Sequence, residues 1–220
     1  MDRAQAARPP YADGMRELDA LRAECERIEA TLATVSADAW ERPALGEWSV
    51  HKLCVHLTRG VGRLAAYLGQ PVEGSAVKDR VSYFQYDPAE VAPGVAARTA
   101  REAESLPAAD VPQAFAAAWR DSVAKASEAG RDRIMATPFG AMHVQEYSAT
   151  RVLEAVVHHM DLRRALDRPA DPDPQAADIT VEILEGLLDG PRPRNLGRDR
   201  FVLVATGRIP HDDPRFPVLG

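Results

Sequence analysis

The stretch Gln145-Glu-Tyr-Ser-Ala-Thr-Arg-Val-Leu-Glu-Ala-Val-Val-His-His-Met-Asp-Leu-Arg-Arg-Ala-Leu166 decides the fold. It contains neither proline nor glycine and is dense in apolar residues, among them Leu153, Val156, Val157, Met160 and Leu162. That composition predicts one long helix over about 145–166. Glu154 and His158 are four apart, so on a helix they stand one turn above the other, with Asp161 three further along the same face. An imidazole nitrogen and a carboxylate oxygen at that spacing can share a cation, because zinc accepts both at about 2.0–2.2 Å. Spacing alone leaves a plainer reading open, in which the histidine is a packed, hydrogen-bonded core residue. A third ligand must come from elsewhere.

Working outward, three further amphipathic stripes accompany this helix. Leu18, Leu21, Cys25, Ile28, Leu32 and Val35 recur in steps of three and four and predict a first helix over about 14–35. Ser49 is a candidate N-cap for a second helix over about 50–68, carried by Leu53, Leu57, Val61 and Leu64 and ended by Gly69 and Pro71. Pro112 at a first turn opens a third over about 111–129, closed by Gly130. Residues 70–93, with Gly74, Pro88 and Pro93 around Tyr83, Phe84 and Tyr86, read as a long loop that covers a cavity. A short helix is expected over 96–105 and a fifth near 176–188, and Phe201-Val-Leu-Val-Ala205 reads as β-like. The expected architecture is a mainly all-α four-helix bundle with long crossover connections, a short α/β extension over 170–220, and one domain over 1–220.

His56 is the best candidate for the third ligand. It lies on helix two beside Leu53 and Leu57, with Gly60 one turn on leaving space above it, whereas His51 faces the other side. Three protein ligands would leave a coordination position open, as in catalytic zinc sites, and Asp161 would orient a ligand imidazole from behind. Arg59 and Arg63 share the flank of His56, and Arg151 lies one turn before Glu154. Each is a candidate for pairing with a substrate or thiol carboxylate, against the plainer reading of a solvent-facing arginine. Tyr83, Phe84 and Tyr86 are candidates for a lid and His143 for an approach from the turn before helix four, although ordinary packing accounts for both. Trp40 and Trp48 read as anchors of the interhelical loop and carry no chemistry.

Composition narrows the class. The chain has 220 residues, 45% of them apolar, and a net charge of −6 without a basic cluster, which argues against nucleic acid as a partner. No apolar run reaches the length of a membrane span and residues 1–14 lack the core of a secretory signal, so a cytoplasmic protein is expected. Cys25 and Cys54 have no CxxC spacing and suit small, buried, reduced residues. Lys52, Lys78 and Lys125 are the only lysines, and the arginine and alanine bias matches GC-rich codon usage.

Two segments carry a resemblance. Trp40 followed by Pro43-Ala-Leu-Gly-Glu-Trp-Ser-Val50 and Cys54-Val-His-Leu57, and then Arg151, Glu154, His158 and Asp161-Leu162, resemble the mycothiol-dependent maleylpyruvate isomerase N-terminal family, one of the DinB/YfiT-like bundles. The closing Leu203 to Gly207 and Arg215 to Leu219 resemble tails of related actinobacterial proteins. The resemblance implies a divalent metal, zinc by preference with nickel or iron also compatible, held by His56, Glu154 and His158. It also implies mycothiol or a similar low-molecular-weight thiol as cosubstrate, whose pKa the metal would lower. The thiolate would add to a small electrophile, giving thiol transfer or, when addition is reversed after bond rotation, cis–trans isomerisation. The full-length isomerase carries a sizeable second domain where this chain has little beyond helix four, which argues against maleylpyruvate itself as substrate. The alternatives are a hydrolase using a metal-activated water and a non-catalytic bundle that binds a small molecule. A monomer or homodimer is expected.

Overall fold

The computed structural model describes residues 15–72 and 74–219. Residues 1–14, on which the absence of a secretory signal was argued, lie outside them. Among the described residues seven α-helices carry the fold: α1 Arg16–Leu32, α2 Val50–Leu68, α3 Pro88–Ser105, α4 Val111–Ala129, α5 Val144–Ala165, α6 Pro174–Leu188 and α7 Arg198–Ala205. Two short hairpins join them, β1 Pro43–Leu45 with β2 Trp48–Ser49 and β3 Ile134–Met135 with β4 Met142–His143, both antiparallel. Gly46 turns the first at φ +53°, a conformation open to a residue without a Cβ. No described helix is long and apolar enough to cross a membrane.

The bundle is a ring in which α2 packs on α4 and α5, and α1 on α5 and α4. Consecutive α1 and α2 therefore occupy opposite corners, and α3 belongs to a long crossover between α2 and α4. The α2–α4 contact is close because small residues meet there: a Cβ on Gly62 would lie 3.5 Å from that of Ala118. Beside it the buried Ser122 hydroxyl donates to the Val61 carbonyl at 2.7 Å and accepts from the Ala65 N–H at 3.2 Å. α5 is buried on every side, between α1 and α2 on one flank and α6 on the other, which is why its sequence shows no single apolar stripe. α6 covers α5 and α1, and α7 packs on α6.

Three expectations are corrected. The segment read as loop to residue 93 with a short helix after it forms a helix from Pro88 onward. The Asp87 carboxylate caps the Ala89 N–H at 2.9 Å and Pro88 occupies the first turn, so Pro88, taken for a breaker, starts the helix, and Pro93 lies inside it. The β-like run 201–205 is the body of α7, which makes the extension helical. A five-residue apolar run does not distinguish a buried strand from a buried helix, and Phe201, Val202 and Val204 bury at helical spacing. The first helix ends at Leu32, short of residue 35.

Candidate metal centre

α2 and α5 face each other where His56, Glu154 and His158 converge. Ser49 caps α2, its hydroxyl accepting from the Lys52 N–H, and so fixes the turn that carries His56. The ring of His56 packs against Trp48 with centroids 4.9 Å apart and edge-on to His158, also at 4.9 Å. One donor atom from each of the three residues lies within 4.8 Å of the others. His158 Nε2 is 3.5 Å and His56 Nε2 3.9 Å from Glu154 Oε2, both beyond the roughly 3.2 Å reach of an ordinary N–H···O bond. Donors at about 2.1 Å from a tetrahedral cation stand about 3.4 Å apart, so these separations suit a cation held between the three side chains better than direct hydrogen bonds. The nitrogen, oxygen, nitrogen donor set also suits a first-row divalent ion.

Electrostatics support the same arrangement. Burial alone would raise the Glu154 carboxyl, but the two imidazoles beside it and Arg151 outweigh that and hold it well below the usual carboxylate range. Burial pushes His56 below its ordinary value, so its imidazole stays neutral. Burial also works against charge on His158, yet the carboxylates of Asp161 and Glu154 prevail and raise it. Asp161 is fully buried behind His158, with Oδ2 3.2 Å from Nδ1. Burial would lift its carboxyl, and its bonds to His158 and Arg208 bring it down to about 2. An ionised Asp161 can only accept, which puts a ring proton of His158 on Nδ1 and turns Nε2 toward Glu154.

Two cavities meet at this point. One of about 460 Å³ is largely apolar, lined by Leu45, Trp48, Val91, Val95, Leu153 and Val157, and it reaches all three converging side chains. The other, of about 120 Å³, shares His56, Glu154, Tyr86, Val91 and Val95 with the first and is walled by Arg59, Arg63, Arg98 and Arg151. A Cβ on Gly60 would meet nothing within 4 Å, so the void expected above His56 is part of this second cavity. Of its four guanidiniums only Arg59 has a carboxylate partner among the described residues, Glu102 at 3.1 Å. Arg151 lies over the rings of Tyr147 and Tyr83 at 4.7 and 5.6 Å, Arg63 donates to the Tyr67 hydroxyl, and the buried Nε of Arg98 has no partner.

The structure thus brings Arg59, Arg63 and Arg151 together around a cavity that shares His56 and Glu154. Of the aromatic trio, Tyr86 borders both cavities and Tyr83 the smaller, whereas Phe84 is buried in the core. His143 bonds the Asp132 carbonyl at 3.0 Å and borders neither cavity, and His51 bonds the Leu106 carbonyl at 2.7 Å. Trp48, read as an anchor, lines the larger cavity against His56. Arg98 falls inside the short helix expected over 96–105, but that helix was not extended back to Val91, whose spacing of seven places both residues on one face of α3. Cys25 and Cys54 are free and fully buried, and burial raises both thiols far from reactivity.

A helical bundle whose facing helices bring two histidines and a glutamate to one point, between two cavities, defines a bundle protein with a candidate metal centre. The chain belongs to the mycothiol maleylpyruvate isomerase N-terminal domain family, which it matches over residues 21–163. No curated protein and no solved structure matches it. The match links the chain to mycothiol-related, isomerase-like chemistry and contains all three converging residues, while α6, α7 and the segment after them lie beyond it.

Proposed function

We propose that this protein is a metal-dependent enzyme that activates a low-molecular-weight thiol, mycothiol by family, for addition to a small electrophile. The observation that carries the reading is the convergence of His56, Glu154 and His158 at the junction of two cavities, one of them walled by four arginines. These three side chains would hold a divalent ion, zinc by preference with nickel or iron compatible. Such an ion lowers the pKa of a thiol that coordinates it, so that thiolate exists near neutral pH.

The chain's own residues supply the rest. Arg59, Arg63, Arg98 and Arg151 present more positive charge than Glu102 and Glu154 offset, which suits an anionic group on the electrophile. Trp48, Leu153 and Val157 give the larger cavity apolar walls suited to the carbon skeleton of a small electrophile. Where the electrophile is an alkene conjugated to a carbonyl, sulfur bonds to carbon and the π pair moves to the carbonyl oxygen. Rotation about the new single bond and loss of sulfur give the isomer, and protonation of the carbon gives the thiol adduct. Asp161 is walled off behind His158 with both oxygens engaged, so it positions rather than serving as the base a hydrolase would need. We read α6 and α7 as part of the same domain as the bundle, since α6 packs on α1 and α5.

Metal-replete protein incubated with mycothiol and a panel of unsaturated keto acids and epoxides tests the proposal. A thiol-dependent adduct or isomer, lost in His158→Ala, is the expected result. Protein that holds a stoichiometric metal yet changes no electrophile in the presence of thiol contradicts it.

A further inference from the structure

The segment after α5 lies outside the matched family region, yet its Arg208 reaches the residue behind His158. α7 closes with Gly207 at φ +70°, whose N–H donates to the Val204 carbonyl at 3.1 Å, while the Arg208 N–H donates to the Leu203 carbonyl at 2.8 Å. This six-to-one and five-to-two pairing is the Schellman closure, which only a residue tolerant of the left-handed region makes easily. It turns the chain so that Arg208 points back at α5. The guanidinium is steadied by its own segment, Nη1 donating to the Thr206 carbonyl at 2.7 Å.

From there Arg208 grips both oxygens of Asp161, Nη2 to Oδ2 at 2.9 Å and Nε to Oδ1 at 3.3 Å. The Oδ2 it holds is the oxygen that accepts from His158 Nδ1 at 3.2 Å. Arg164 also donates to Oδ1, at 2.8 Å, but its side chain is 46% exposed against 15% for Arg208, so water can replace it. A two-point grip in a buried setting fixes the plane of a carboxylate, which a single exposed contact does not.

We propose that Arg208 is a positioning residue of the centre: by fixing Asp161 it sets the tautomer and ring orientation of His158, keeping the Nε2 lone pair aimed at His56 and Glu154. Thr206, Arg208 and Leu219 also border the larger cavity, so the segment beyond the family match completes the site as well as bracing it. The inference rests on the metal reading only for its effect on affinity, because ring orientation is a property of the protein itself.

Two measurements on wild type, Arg208→Met and the control Arg198→Met test it, Arg198 being an ion-paired arginine at the start of α7 whose partners are Asp178 and Asp199. Zinc affinity by chelator competition is expected to fall about 10- to 100-fold in Arg208→Met and to stay unchanged in the control. Nitrogen-15 NMR of the imidazoles in metal-free protein, at a pH where the His158 ring is neutral, is expected to show its Nδ1–H tautomer in wild type and the loss of that tautomer in Arg208→Met. Should that variant fail to fold, Arg208→Gln, which cannot grip both oxygens, gives the same two readings. Zinc affinity within about threefold of wild type together with an unchanged tautomer overturns the proposal. A wild type that binds no zinc refutes the metal reading, while the tautomer still decides the role of Arg208.

Discussion

His158 and His159 are neighbours in the chain and meet opposite environments across α5. His159 is sealed: Nδ1 lies 2.6 Å from Glu24 Oε1, Nε2 lies 3.0 Å from the Thr31 hydroxyl, and the second Glu24 oxygen accepts the Asp173 N–H at 2.6 Å. All of these side chains that pair with it are buried and every polar atom of the ring has a partner. His158 is anchored on one side only, by Asp161, and its Nε2 faces a cavity with Glu154 at 3.5 Å. Both clusters set a histidine beside a glutamate. Closure makes one a brace between α1, α5 and the start of α6; the opening left in the other makes it a site.

Breaking each half should separate stability from function. His158→Ala is expected to lower thiol-dependent turnover by at least about a thousandfold, the several kcal/mol a catalytic metal supplies, with the unfolding midpoint little changed. His159→Ala should do the reverse, costing about 3–5 kcal/mol in urea unfolding because Glu24 is left buried without its partner, while turnover per folded molecule is preserved. Gly60→Leu sharpens the contrast by closing the open side without touching a donor. The helix tolerates the change, and KM for the electrophile is expected to rise by about tenfold or more. Arg98→Met should raise KM about tenfold for an anionic electrophile, one charge-assisted bond's worth, and leave an uncharged one unaffected.

A third cluster borders neither cavity and tests stability alone. Arg80 on the loop before α3 donates to Glu146 at 2.7 Å and to Glu17 at 2.9 Å. Burial raises the Glu146 carboxyl, but the bonds from Arg80 outweigh it and hold it below its ordinary value. Its stabilisation is therefore present above the unfolded carboxyl pKa, near 4.3, and is lost as pH falls through the lower folded value. Glu146→Gln should cost about 2 kcal/mol at pH 7 and flatten the acid limb of stability between about pH 5 and 3, read from urea midpoints against pH.

What was legible in the sequence followed from periodicity and spacing. α2 and α4 were expected within their observed bounds, and α5 within one residue at either end, because caps and apolar stripes are local signals. The four-residue step from Glu154 to His158 and the void above Gly60 were readable for the same reason. Arg98 and Arg208 were not. Arg98 sits on a helix whose start, Asp87-Pro88, uses residues that elsewhere stop helices. The partner of Arg208 is 47 residues away, so its role depends on how α7 closes against α5. The likeness of His158 to His159 also concealed their difference, since what surrounds each is decided by packing across the bundle.

Metal content of wild type, His158→Ala and His159→Ala, each purified without an affinity tag or added metal and read by inductively coupled plasma mass spectrometry, tests the central claim most directly. About one equivalent of a divalent transition metal in wild type and in His159→Ala, with none in His158→Ala, is the predicted result. Equal metal in both histidine variants, or a wild type that takes up neither zinc, nickel nor iron on titration, would contradict it.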